Sequence, residues 1–448
     1  MTDLTPPTSP AATGRLGVAW RRHGRVLLTL TDQGLVSLAS FATNFLLLHH
    51  FRNDASHYAA YTLAFNLMIW AGEFQATLVF TPHTIRSPRL NGDALRRFHG
   101  STLLHNTAVS LLTAIATLIA AIATKTVDPQ MSKVLLVLGL GTVVIGLRNY
   151  ARPYAFTARR PLTAVVLDLA VAALQIGGVL LLAKFNVLEA WNAVGVVAVA
   201  SALPAVIWLI ADWHEFEPRP KQAVRDLVEA WPQTRWVFLS GLTWNAGMLA
   251  YPWLIKGLRG DVAVATWGAC YQLACIANPL LMGLQNFIGP RVAEAVTEMR
   301  RPAFGKYVYK VALLTAVAMA GPAVLLSIYA DGALSWLTRG VYTGQHLAIG
   351  LLCGAIVCQA ITFTLSRGLF ALHRADLDLY CNSLPLVLLF TFGIAATRDY
   401  GVAGAAASLL VAQLLSASSR AVLFGLALRK RRDDDATPMP LTLAEPAV

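Results

Sequence analysis

Three acids lie where the surrounding sequence is otherwise apolar: Asp32 in TLTDQGLVSLASFATNFLLLHH, Glu73 in IWAGEFQATL and Asp168 in AVVLDLAVAAL. A carboxylate in the middle of such a run costs roughly 2.5–3.5 kcal/mol on membrane-insertion scales. It must be neutral, paired with a cation, or hydrated in a cavity. For Glu73 and Asp168 two readings stand: a functional acid, or a structural ion pair with Arg148 or Arg152 as the nearest cations in sequence. Asp32 lies nearer the start of its run and also suits a helix cap. Beside it, Gln33, Ser37, Ser40 and Asn44 step by 4, 3 and 4, which is one face of an α-helix. Lipid cannot satisfy those groups, so the stripe faces either another helix or a wet central cavity.

The elements that carry these residues are membrane spans. The chain has 448 residues, 56% hydrophobic and 13% charged, with a mean hydropathy of +0.56. A soluble domain averages about 25% charged residues. Twelve apolar runs approach the roughly 20 residues needed to cross a bilayer: about 27–48, 58–81, 101–123, 133–150, 162–183, 191–211, 236–256, 262–289, 308–329, 345–371, 378–397 and 401–428. The expected fold is therefore an all-α integral membrane protein. No cleavable signal pattern precedes the first run.

The net charge of +12 is a topology signal rather than a nucleic-acid footprint. With the N-terminus in the cytoplasm, only Arg52, Lys125, Lys133, Lys184, Lys256, Arg259, Arg339 and Arg398 fall outside, leaving 28 of the 36 Lys and Arg inside. That is the positive-inside pattern, and it places both termini in the cytoplasm. The five cysteines all sit in or at the ends of spans, so no disulfide is expected.

The two halves of the chain resemble each other. Arg52 and Asp54 after the first span match Arg259 and Asp261 after the seventh; Pro82 matches Pro290; Phe156 and Arg160 match Phe370 and Arg374, at offsets of 207 to 214 residues. This predicts two parallel six-helix bundles around a central cavity at their interface. The expected organisation is a cytoplasmic tail (1–26), an N-lobe (27–211), a cytoplasmic linker (212–235), a C-lobe (236–428) and a second cytoplasmic tail (429–448). Val224, Leu227, Val228 and Trp231 give the linker an apolar helical face suited to the membrane surface. Shifted by the 207 offset, the polar face of the first span becomes Ser240, Trp244, Gly247 and Tyr251 in the seventh, a set that suits a cavity or plain core packing. Asn278-Pro279 interrupts the eighth run, and proline there permits a kink.

Catalytic and nucleotide motifs are missing. There is no phosphate-binding GxxxxGK[ST], no HExxH and no GxSxG. The histidines His49, His50 and His57 read as rim residues rather than as a metal site. No catalytic residue, metal or cofactor is expected, and the protein is not expected to be an enzyme.

Three stretches carry a resemblance. DQGLVSLASFATNFLLLHHF with YTLAF and TPHTIRSPR resembles the first two helices of bacterial polysaccharide transporters, a branch of the multidrug/oligosaccharidyl-lipid/polysaccharide exporter superfamily. LRNYARPYAFTARRPLTAVVLDLAVAAL resembles their fourth and fifth helices, and GVAGAAASLLVAQLL their last. The likeness is densest over residues 31–183. The turn HHFRNDASHYAAY departs from the family by lacking its usual Leu-Gly-Pro.

The resemblance implies a flippase in the bacterial inner membrane. It would carry an oligosaccharide repeat unit on undecaprenyl diphosphate from the cytoplasmic to the outer leaflet, by alternating access, for surface polysaccharide or O-antigen synthesis. Its partners would be the lipid-linked oligosaccharide, membrane lipids and the polymerase machinery, not nucleic acid. On that reading Arg148, Arg152, Arg367 and Arg420 are candidates to hold the diphosphate, arginine matching phosphate through its bidentate fork. Gln33, Ser37, Ser40, Asn44, Ser240, Trp244 and Tyr251 are the expected cavity lining. Asp32, Glu73 and Asp168 are candidates to couple transport to H⁺ or Na⁺. Two rivals are an ion-coupled multidrug or cation antiporter of the same superfamily, which wants an acid-centred pocket, and a membrane-embedded glycan polymerase or glycosyl-transfer enzyme, which wants acids clustered on outer loops.

Overall fold

The structure, a computed structural model, describes residues 15–430, all of whose regular elements are helical. The first half comprises α1 (Arg15–His50), α2 (Ala55–Arg89), α3 (Gly92–Thr124), α4 (Pro129–Thr157), α5 (Pro161–Lys184) and α6 (Ala190–Asp212). The second comprises α7 (220–259), α8 (261–298), α9 (Arg301–Ile328), α10 (His346–Ala371), α11 (375–400) and α12 (402–430), with a short helix Ala330–Thr338 between α9 and α10. Residues 1–14 and 431–448 of the expected tails lie outside the described residues.

Local chemistry sets the boundaries. Asp54 caps α2 by accepting from the His57 amide, and Asp128 caps α4 by accepting from Met131 at 2.9 Å, with Pro129 in the first turn. Glu189 and Asn192 form a reciprocal box at the start of α6. In the second half two turns are so tight that only glycine reverses the chain: Gly260 (φ 77°) separates α7 from α8, and Gly401 (φ 58°) separates α11 from α12. A 3₁₀ turn at Cys275–Ala277 breaks α8 just before Asn278-Pro279, where the sequence places a kink.

Packing repeats with a period of six spans. In the N-lobe α3 lies on α4, α4 on α6, and α1 on α5; in the C-lobe α9 lies on α10, α10 on α12, and α7 on α11. Among the described residues eight helices are long and apolar enough to cross a membrane, the last of them holding both α11 and α12. The spans that fall short are α1, α7 and α8. Two of these, α1 and α8, wall the central cleft described below, so their polarity has somewhere to go other than lipid.

The hydrophobic core shows which way the lobes are tilted. On the face away from the termini, called here the distal face, one continuous cluster joins both lobes. It runs from Leu47, Tyr58 and Val134 to Trp267, Leu334, Ile349 and Leu409. On the terminal face the core divides. One cluster, around Tyr150, Tyr154, Trp208 and Phe216, belongs to the N-lobe; another, around Ile288, Phe304, Leu365 and Phe424, belongs to the C-lobe. The lobes are fused at the distal face and parted at the terminal face.

The expected linker is mostly helix. Residues 220–235 form the first turns of α7 and pack on α3 through Ala223, Asp226 and Thr234, all at most 6% exposed. Glu217 donates its amide to the Arg96 carbonyl at 3.0 Å, His105 Nε2 meets the Ala223 carbonyl at 2.8 Å, and Arg86 pairs with Glu229 at 3.2 Å. The apolar stripe Val224, Leu227, Val228 and Trp231 points outward instead, 39–66% exposed.

Gly100 on α3 makes this docking possible. A Cβ there would lie 2.2 Å from the Glu217 carbonyl oxygen and 2.6 Å from the Pro218 nitrogen, both backbone atoms. Gly100→Ala is therefore expected to destabilise by about 1–3 kcal/mol through overpacking, whereas Gly177→Ala, with nothing within 4 Å, is expected to be neutral or slightly stabilising. Thermal unfolding of the two variants in detergent checks the contrast; equal melting points would refute the docking.

Candidate functional site

A cleft of about 660 Å³ lies between α1, α2 and α8. From α1 come Gly34, Ser37, Ser40, Phe41 and Asn44; from α2, Tyr58, Thr62, Phe65, Asn66 and Ile69; from α8, Trp267, Tyr271, Gln272, Cys275, Asn278 and Pro279. Ser37, Ser40 and Asn44 thus stand where the sequence pattern puts a cavity wall. Gln33, at the end of the same stripe, is half-buried and outside the lining, with its neighbour Gly34 in its place. The α2 wall was missed in the sequence, although Tyr58, Thr62, Phe65 and Ile69 repeat the 4, 3, 4 spacing of α1. Its signal is weak because aromatic and aliphatic residues share the face with Thr62 and Asn66.

The α7 residues need a correction. Ser240, Trp244 and Tyr251 are not part of the cleft wall. Ser240 is 2% exposed and bonds Asp378 at 2.5 Å; Tyr251 is fully buried with its hydroxyl 2.9 Å from Ser408 Oγ. Trp244 packs against Phe363 and lies 5.9 Å beneath the Arg420 guanidinium. An offset of 207 residues carries the helix over but not its exposed face, because α7 turns that face into α11 and α12.

Away from the cleft, each lobe buries an ionic cluster where its first, fourth and fifth spans meet, joined in the C-lobe by the sixth. In the N-lobe Arg152 (α4) pairs with Asp32 (α1) at 2.5 Å and with Asp168 (α5) at 2.6 Å, and Arg148 also pairs with Asp168. Both carboxylates have at most 1% of their side-chain surface exposed, the arginines 17–22%. Two acids and two bases leave the cluster neutral. The geometry favours the ion-pair reading of Asp168 and replaces the capping reading of Asp32. In the C-lobe Arg420 (α12), 1% exposed, donates to Asp378 at 2.8 Å and Ser366 at 2.9 Å, and bonds Ser416 and Asn382. Asp378 completes the set with Ser240, and Asn382 donates to Ser240 Oγ at 2.8 Å. Asp378 escaped the sequence reading because it sits at the start of a span, where an acid looks like a helix-end charge.

Glu73 and Arg367 stand apart from both clusters. Glu73 is half-buried in the seam between α2 and α7, among Trp70, Phe74, Thr77, Phe238, Leu242 and Asn245. No ion pair of Glu73 occurs among the described residues. The helix widens into a π turn immediately beyond it, at Ala76–Phe80. Arg367 is exposed on the terminal half of α10, with its Nε beside Gly289 of α8. Among the described residues it too has no ion pair. Of the four arginines considered for diphosphate, Arg148, Arg152 and Arg420 are already neutralised by carboxylates.

No family model and no curated protein matches the chain. Solved structures do. An inward-facing multidrug resistance MATE family transporter of the MOP superfamily matches with TM-score 0.72 at 13% identity, covering 91% of this chain and 99% of that one. A MOP superfamily transporter from Pyrococcus furiosus matches with TM-score 0.67 at 12% identity over 90% and 94%. The lipid II flippase MurJ in an inward closed conformation matches with TM-score 0.63 at 15% identity over 88% and 87%. An outward-facing MATE family structure scores 0.66. At these identities the likeness is one of fold: the chain has the twelve-span, two-lobe fold of MOP superfamily transporters.

Removing one partner of a buried pair typically costs 3–5 kcal/mol. Arg152→Leu, which strands Asp32 and leaves Asp168 to Arg148, is expected to lower stability by about 3 kcal/mol or more, whereas Arg367→Leu is expected to change it by less than about 0.5 kcal/mol. Parallel thermal melts in detergent separate the two; matching losses would mean that Arg367 is also structural.

Proposed function

We propose that this protein is a flippase that moves a lipid-diphosphate-linked oligosaccharide from the cytoplasmic to the outer leaflet of the bacterial inner membrane. The observation that carries this reading is the chemistry of the cleft. Among the described residues its wall is made of hydroxyls, amides, aromatic rings and apolar side chains, with no carboxylate or amine in it. A pocket built to select organic cations wants an acid at its centre, and the buried acids Asp32, Asp168 and Asp378 are instead tied to arginines outside the cleft. Hydroxyls and amides suit sugars.

The charge distribution supports an orientation with the terminal face toward the cytoplasm. The parted face then opens toward the leaflet on which lipid-linked oligosaccharides are assembled. Arg367, exposed on that side, takes the diphosphate. Arg148, Arg152 and Arg420 serve chiefly to hold spans together. Glu73, in the seam between lobes, is the acid of the three candidates best placed to couple an ion to lobe movement, since Asp32 and Asp168 are committed to Arg152.

Hydrogen bonds to charged groups contribute about 1.5–3 kcal/mol, so Arg367→Ala is expected to lower flipping by roughly tenfold or more, with partial recovery in Arg367→Lys. The assay is a strain carrying each variant, read for lipid-linked oligosaccharide retained on the cytoplasmic leaflet. The multidrug antiporter is the second reading, favoured by the MATE-like architecture. Unchanged surface polysaccharide together with lost dye efflux in a deletion strain would select it and eliminate the flippase.

A further inference from the structure

An aromatic column runs from the distal core to the cleft. Tyr251 and Trp267 stack at 5.8 Å and 16°, and Trp267 and Tyr271 at 6.0 Å and 10°. Tyr251 and Trp267 are at most 2% exposed, while Tyr271 is half-buried in the cleft wall. The column therefore ends at the cleft in a ring fixed by the two behind it.

The polar atoms around that ring are neutral hydroxyls and amides. Asn44 donates its side-chain amide to the Ser40 carbonyl at 2.9 Å, and Asn66 donates to the Thr62 carbonyl at 2.8 Å. Thr62 donates its hydroxyl to the Tyr58 carbonyl at 2.8 Å. Each bond uses one donor and leaves the amide oxygens of Asn44 and Asn66 and the lone pairs of Thr62 free to accept. Sugar hydroxyls carry protons to match. A carboxylate only accepts, and among the described residues the wall holds no cation to compensate its burial.

Resting on the flippase reading, we infer that the cleft selects electrically neutral sugars, with Tyr271 as the stacking platform and Asn44 and Asn66 as acceptors for sugar hydroxyls. Charge on the substrate is confined to the diphosphate, outside this part of the cleft.

The test uses the full chain in nanodiscs and three probes: undecaprenyl diphosphate, the same carrier bearing N-acetylglucosamine, and the same carrier bearing glucuronic acid. Binding is read by native mass spectrometry. The N-acetylglucosamine form is expected to bind about tenfold more tightly than the glucuronic acid form. Tyr271→Ala is expected to weaken the neutral form roughly three- to tenfold, Tyr271→Phe to retain it, and neither to alter binding of the sugar-free carrier. Gln272→Lys, a second route if Tyr271→Ala does not fold, is expected to shift preference toward the glucuronic acid form. Equal binding of the two sugars by the unaltered chain, loss of sugar-free carrier binding in Tyr271→Ala, or no shift in Gln272→Lys would overturn the inference while leaving the flippase intact. Failure of the unaltered chain to bind any of the three would remove the flippase reading, and this inference with it.

Discussion

A carboxylate with none of its side-chain surface exposed, Asp168, is held between Arg148 and Arg152. Much of the N-lobe follows from that requirement. Water is absent from the bilayer core, so the charges in it must be satisfied by protein. Arg152 does so by reaching two acids from two other spans, Asp32 on α1 and Asp168 on α5. The C-lobe solves the same problem with fewer charges and takes its cation from its sixth span rather than its fourth, using Ser240, Ser366 and Asn382 around a single Asp378–Arg420 pair. Each lobe is thereby neutral within and rigid at its terminal half, where the hydrophobic core is divided and cannot hold the lobes to each other.

Keeping charge inside the lobes leaves the cleft between them uncharged. Spans α1 and α8 are too polar to pass as ordinary membrane helices, yet the polarity they bring to the cleft is of hydroxyls and amides. One consequence concerns movement. A cleft lined by neutral groups can be opened to water or closed against it at modest electrostatic cost. Closing a pocket over an unpaired charge would be far more expensive.

Much of the architecture was legible in the sequence because membrane spans announce themselves by length and composition. The twelve runs correspond to the twelve spans, and the breaks at Gly260, Gly401 and Asn278-Pro279 fall where the pattern was interrupted. The α1 stripe was legible because lipid cannot face Ser37, Ser40 and Asn44. What was not legible was direction in the C-lobe. Ser240 and Tyr251 carry the same residue chemistry as cavity groups, and only the presence of Asp378 and Ser408 opposite them shows that they are internal partners. The docking of the linker was not legible either: its apolar stripe of Val224, Val228 and Trp231, read as a face for the membrane surface, is exposed, and Ala223 and Asp226, which form no pattern, are the residues that meet α3.

That docking has a mechanical meaning. The helix joining the lobes is anchored to α3 through Glu217 and Ala223 and to α2 through Glu229 and then runs without interruption into the membrane half of α7, passing Pro232 on the way. The lobes are thus connected by a stiff crank rather than a slack tether. Rocking of one lobe against the other has to be taken up by bending that single helix, and proline, which removes one rung of the helical ladder, marks the place where it yields most cheaply. The reach of any such rocking is then set by how far one helix flexes.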